Sequence, residues 1–90
     1  MKTLRKALDR YLAFRRSLGF KLRDHARGLS KFLAFLHTQG AEFITTELAL
    51  AWAQQPSHAS PAFKAKRLGI ARAFARYLSA TDPRTQIPPP

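Results

Sequence analysis

The chain has 90 residues, which is enough for one domain with a hydrophobic core and too few for two. Hydrophobic residues make up 46% of it, which argues against a disordered basic tail, and the lack of cysteine excludes disulfides and thiolate zinc sites. The formal net charge is +11, from 16 basic and 5 acidic residues. This exceeds the magnitude of about 2–8 that solubility requires, so we expect a polyanionic partner.

The first 40 residues predict two helices that pack as an antiparallel pair. Thr3 is expected to cap a helix that runs to about Leu18 and ends at Gly19. A second helix is expected from about Arg23 to Gln39, ending at Gly40. The apolar residues that recur at helical spacing are Leu4, Ala7, Leu8, Tyr11, Leu12, Phe14 and Leu18 in the first helix and Leu29, Phe32, Leu33 and Leu36 in the second.

Two further helices follow in the second half of the chain. Thr45 or Thr46 is expected to cap a short third helix that contains Trp52 and ends before Pro56. Ser60 and Pro61 predict the start of a fourth helix that continues to about Leu78 or Ser79. Its predicted buried stripe is Phe63, Ile70, Phe74 and Tyr77. The predicted fold is an all-α, compact four-helix domain over residues 1–80.

Residues 81–90 differ from the rest of the chain. They contain four prolines and almost no apolar periodicity, so they cannot continue the fourth helix. We therefore predict a semi-rigid, Pro-rich linker.

Basic residues are concentrated on the first, second and fourth helices, which are expected to face a polyanion more than the third. Arg23, Arg27 and Lys31 follow one another at four-residue spacing, so they form a ridge opposite the apolar stripe of the second helix. Like charges at this spacing repel unless an anion relieves them, whereas an ordinary solvated face would intersperse acidic residues. The ridge is therefore a candidate DNA contact, and a solvated face is the alternative.

The fourth helix carries five basic residues and no acidic one. The candidate DNA contacts are Lys64, Lys66, Arg67, Arg72 and Arg76, with the small residues Ala65, Gly69 and Ala75 expected between them on the exposed side. A glycine inside a helix suggests close approach, either by DNA or by a neighbouring helix. Arg67 borders the apolar stripe, so it either contacts phosphate or has a structural partner.

Nothing in the sequence predicts a catalytic or metal centre. His25, His37 and His58 lack the spacing of metal ligands, and Trp52 and Tyr77 are expected in the core. No nucleophile with its base, phosphate-binding loop or pair of catalytic carboxylates is present. We expect no cofactor, no small-molecule ligand and no membrane contact.

Three segments together resemble a known family. The first helix contains Leu8, Tyr11 and Leu12, the second has the sequence RDHARGLSKFLAFL over residues 23–36, and the fourth has KRLGIARAFARYL over residues 66–78, closed by Asp82 and Pro83. This pattern resembles the N-terminal core-binding, or SAM-like, domain of tyrosine recombinases, the phage integrase family. His25 departs from it, because family members often have an aromatic hydroxyl residue there.

The resemblance implies a DNA partner, and it implies that DNA binding and catalysis belong to separate domains. In that family the domain forms half of a C-shaped clamp around duplex DNA and presents its second and fourth helices to it. Catalysis belongs to a separate C-terminal domain, so Tyr11 and Tyr77 are not expected to act as nucleophiles. The implied partners are duplex DNA, the chain's own catalytic domain and other recombinase protomers. The implied setting is the cytoplasm of a bacterium, at the nucleoid, with a bacterial or phage gene.

Two other functions fit the same residues. SAM-like folds also serve as protein-interaction domains, which would show an exposed apolar patch. Counterion release also drives binding to RNA and other polyanions, so basic charge alone does not distinguish them.

Overall fold

The computed structural model describes residues 2–89, and the side chains of residues 3–89. Met1 and Pro90, the outer ends of the predicted domain and linker, lie outside the described residues. The described part contains four helices and no strand: α1 (Lys2–Ser17), α2 (Arg23–Thr38), α3 (Thr46–Gln54) and α4 (Pro61–Ser79). The predicted all-α, four-helix fold is therefore confirmed.

The helix ends follow the predicted signals with one exception. Gly19 and Gly40 adopt φ values of 90° and 66°, which favour glycine, just after α1 and α2. The hydroxyl of Thr45 accepts a hydrogen bond from the backbone N–H of Leu48 at 3.1 Å and caps α3. Thr3 lies inside α1 and does not cap it, because the helix begins at Lys2.

The core forms where the four helices converge. α4 packs against all three other helices, and α2 contacts both α1 and α3. The largest fully buried side chains within the described residues are Trp52, Phe32, Phe74, Leu8, Leu29, Leu36, Ile44 and Pro88. Phe32 and Trp52 contact each other with ring centroids 4.9 Å apart, which confirms Trp52 as a core aromatic.

Four positions differ from the predicted apolar stripes. Phe14 and Leu18 are more than half exposed, and Phe63 is 48% exposed. Ala75 was expected on the open face but is fully buried beside Ala71 and Leu78. Helical periodicity identifies the apolar face of a helix, but it does not show how far the neighbouring helices extend along that face. The apolar faces of α1 and α4 therefore each continue beyond the part that other helices cover.

The segment after α4 packs back against the domain. Gln86 donates its backbone N–H to the Ile44 carbonyl, and its side-chain Oε1 accepts the backbone N–H of Thr46, both at 2.9 Å. Thr85 and Pro88 are buried, and Arg84 lies over the ring of Phe43. The Pro-rich composition predicts stiffness and does not reveal this docking, which ties the segment to the start of α3.

In residues 2–89, no helix is both long enough and apolar enough to cross a membrane.

Candidate nucleic-acid interface

A cleft of about 280 Å³ lies between α2 and α4. The residues that line it are Asp24, Arg27, Gly28, Lys31, Trp52, Phe63, Lys66, Arg67 and Ile70. Two of the predicted contacts on α2 thus face two of those on α4 across one depression. This juxtaposition turns two basic helix faces, far apart in the sequence, into one surface.

Three of the four cations that line the cleft are accessible. Arg27 and Lys31 are exposed one turn apart on α2, and Lys66 is exposed on α4. The single acidic residue in the lining, Asp24, lies 4.0 Å from the Lys66 ammonium, and both side chains are more than half exposed. An exposed pair of this kind contributes little to stability, so Lys66 stays available to an anion.

Arg67 is held by the protein itself. Its guanidinium lies 3.9 Å from the centroid of the Trp52 ring and donates a hydrogen bond from Nη2 to the Trp52 carbonyl at 2.9 Å. Burial lowers the pKa of the Arg67 guanidinium from its usual value. Its Nε is buried and has no hydrogen-bond partner within the described residues. These contacts join α4 to α3 and give Arg67 a structural partner.

The inner wall of the cleft is apolar. Gly28 exposes no side chain there, and a Cβ at this position would lie 3.7 Å from Cδ1 of Ile70, an ordinary contact distance. Trp52 and Ile70, both almost fully buried, contribute their edges. The cleft therefore combines a charged rim with an apolar wall.

A second depression continues the charged surface toward the turn between α1 and α2. It is lined by Arg16, Lys21, Leu22, Arg23, Asp24, His25, Ala26 and Lys66. The two depressions share Asp24 and Lys66, so their cations form one track. We call Arg16, Lys21, Arg23, Arg27, Lys31 and Lys66 the basic strip.

Two members of the basic strip were missed from the sequence. Arg16 belongs to the first helix, which is predicted to pack against the second, and Lys21 belongs to the predicted connection between them. Lys21 lies two residues before the start of α2, and Arg16 lies in the last turn of α1, before the turn at Gly19. A short turn brings the end of α1 close to the start of α2. Basic residues on either side of a predicted helix connection are therefore the sequence signal that would have identified Arg16 and Lys21.

The remaining predicted contacts lie elsewhere on α4. Lys64, Arg72 and Arg76 line neither depression. Arg76 is exposed, whereas Lys64 and Arg72 are partly buried, and Nε of Arg72 has no hydrogen-bond partner within the described residues. Their contact with DNA stays a prediction.

Gly69 faces open space. A Cβ at this position would meet nothing within 4 Å, so packing against a neighbouring helix does not explain the glycine. Together with the exposed Ala65, it leaves a flat area on α4 beside Lys66. Approach by DNA at this position stays a prediction.

Both tyrosines pack among aromatic rings. Tyr11 is 3% exposed, and its ring centroid lies 5.4 Å from that of Phe74 and 5.1 Å from that of Tyr77. Burial raises the pKa of the Tyr11 hydroxyl, although Arg15 opposes this shift. A raised pKa disfavours the phenolate, which is the opposite of what an activated nucleophile needs. No group of three potential metal ligands occurs among residues 2–89.

Comparison with known proteins finds a relative that matches almost the whole chain. The chain is 60% identical over 89 residues to a protein of Sinorhizobium fredii (strain NBRC 101917 / NGR234) described as "Putative integrase/recombinase y4rB". The match covers 99% of this chain and 28% of that protein, so the chain spans little more than a quarter of its relative. No family model matches the chain, and no solved structure is significantly similar to it. Identity at this level along the whole chain confirms the resemblance to an integrase-family domain.

Proposed function

We propose that the chain is the DNA-binding module of a tyrosine-type site-specific recombinase. It holds duplex DNA of a recombination half-site along α2 and α4 and performs no catalysis of its own. The catalytic tyrosine and its basic partners belong to another part of the parent protein. Full-length parents would meet one another as protomers on DNA.

The basic strip is the observation that supports this proposal best. It places six cations from α1, the connection after it, α2 and α4 on one surface, with Asp24 as the single acidic residue among those that line it. Cations arranged in this way replace the counterions condensed on DNA, and release of those counterions drives binding. The match to a protein described as an integrase/recombinase supports the same partner.

A salt titration tests the proposal. We expect weak duplex binding, because half of the clamp is missing, and a logarithmic slope of about −0.9 for each phosphate neutralised. With roughly four to six contacts the slope is about −4 to −5. Fluorescence anisotropy with a labelled duplex, from low to moderate salt, measures it. Affinity that is unchanged over this range would contradict the proposal, and tighter binding to structured RNA or heparin at equal salt would favour a general polyanion binder.

One observation favours a second candidate function, contact with another protein. Phe14 is exposed on α1, and Leu18 and Phe20 are exposed in the connection that follows this helix. Phe14 stacks on Tyr77 at 6.3 Å, and Arg15 lies over Phe20 at 4.3 Å. Self-association that persists at high salt and is abolished by Leu18→Glu would favour this function.

A further inference from the structure

Phe63 lies exposed among basic side chains. It stands in the first turn of α4, is 48% exposed and lines the cleft together with Arg27, Lys31 and Lys66. Exposing so much of an apolar ring has no folding benefit, because burial is what makes such a ring stabilising. A surface that bound phosphates alone would need only the cations.

The backbone that bears Phe63 is fixed. The Ser60 hydroxyl caps α4 by accepting the backbone N–H of Phe63 at 3.1 Å, and Pro61 occupies the first turn. Both features define where the helix begins and limit its fraying. The ring is therefore presented from a rigid position, which lowers the entropic cost of a contact.

Space is open on the exposed side of α4 beyond Lys66. Ala62, Ala65 and Gly69 are exposed on the first turns of α4, and a Cβ added at Gly69 would meet nothing within 4 Å. Lys66 follows Phe63 by one turn and lies between the ring and these small residues. A partner can thus approach the backbone of α4 closely while Lys66 and the other cations reach its phosphates.

Duplex DNA offers few apolar groups to such a ring. Base faces are stacked inside the duplex, but the C5-methyl group of thymine projects into the major groove, where phenylalanine can contact it. We propose that Phe63 is a specificity-determining residue that contacts thymine methyl groups in the major groove while the basic strip holds the flanking phosphates. This inference rests on the proposed DNA-binding function.

Replacing thymine by uracil tests it, because uracil pairs in the same way and lacks only the methyl group. Two pools of random-sequence duplex are prepared, one with thymine and one with uracil, and titrated at equal salt. We expect the unaltered chain to bind the uracil pool about threefold to fivefold more weakly than the thymine pool, because burying roughly one methyl group contributes that much to affinity. Phe63→Ala should bind both pools equally, whereas Phe63→Leu, which keeps an apolar side chain, should still discriminate.

The other outcomes separate this inference from the function on which it rests. One outcome is salt-dependent binding in which Phe63→Ala and the unaltered chain prefer the thymine pool to the same extent, or in which neither prefers it. Phe63 then does not contact the methyl group, and the proposed DNA binding stands. If no variant shows salt-dependent binding to either pool, the proposed function fails and the inference fails with it. Circular dichroism of each variant verifies that α4 remains folded.

Discussion

Arg67 is one of the basic residues of α4, and it also stabilises the fold through its contacts with Trp52. The sequence places it among the basic residues of α4, where it is indistinguishable from a phosphate contact. The structure instead places its guanidinium on the Trp52 ring and bonds it to the Trp52 carbonyl. The difference arises from a contact between residues 15 positions apart on different helices, which neither periodicity nor charge counting reports.

Arg67→Met separates the two roles of this residue. Methionine keeps an unbranched apolar stem but removes the charge and the guanidinium that lies over Trp52 and bonds its carbonyl, so we expect stability to fall by about 1–2 kcal/mol. The salt slope of DNA binding should not change. Urea unfolding and duplex titration of the same variant measure both quantities. Unchanged stability with a reduced slope would show that Arg67 is chiefly a phosphate contact.

At the scale of elements, the sequence predicts where each helix begins and ends better than it predicts which of its side chains are buried by other parts of the chain. Ser60, Pro61, Thr45 and the two glycines act through local backbone geometry, so the ends that they mark agree with the structure. Burial of Phe63 or Ala75 depends on where another helix ends. The docking of residues 82–89 likewise depends on hydrogen bonds to Ile44 and Thr46, about 40 residues away, which no local pattern encodes.

The docked segment has an acid-sensitive element. Asp82 Oδ1 accepts hydrogen bonds from the side chain and the backbone N–H of Arg84, and these bonds lower the pKa of the Asp82 carboxyl below its usual value. Because the folded-state pKa is the lower one, this contribution is fully present above the unfolded-state pKa. It is lost as the pH falls through the folded-state pKa.

Asp82→Asn should therefore cost stability near neutral pH and cost less in acid. We expect the difference in free energy of unfolding between the unaltered chain and the variant to shrink from about pH 6 to about pH 3. Urea unfolding at the two pH values measures it. Asp9→Asn is the matched control, since Asp9 is exposed on α1 and has no hydrogen bond or ion pair within the described residues. A difference that does not vary with pH would contradict the role of the Asp82 carboxylate.

On the scale of the whole molecule, charge is segregated. Residues 41–58 carry two acidic residues and no basic one, whereas residues 59–81 carry five basic residues and no acidic one. The sequence shows this uneven distribution, in which α1, α2 and α4 carry the basic residues and α3 carries none. Folding adds Arg16 and Lys21 from the turn between α1 and α2, and it leaves Lys64, Arg72 and Arg76 outside the two depressions.

The most direct test compares two pairs of charges with identical spacing. Arg27 and Lys31 belong to the basic strip, whereas Lys6 and Arg10 are exposed at the same four-residue spacing on α1 and line neither depression. Each pair is replaced by glutamine, so net charge falls equally and long-range attraction weakens equally. We predict that Arg27→Gln with Lys31→Gln makes the logarithmic salt slope of duplex binding less steep by about 2, while Lys6→Gln with Arg10→Gln leaves the slope unchanged. Equal losses of slope and affinity in both double variants would contradict the account, because they would show diffuse attraction in place of a defined DNA-binding face.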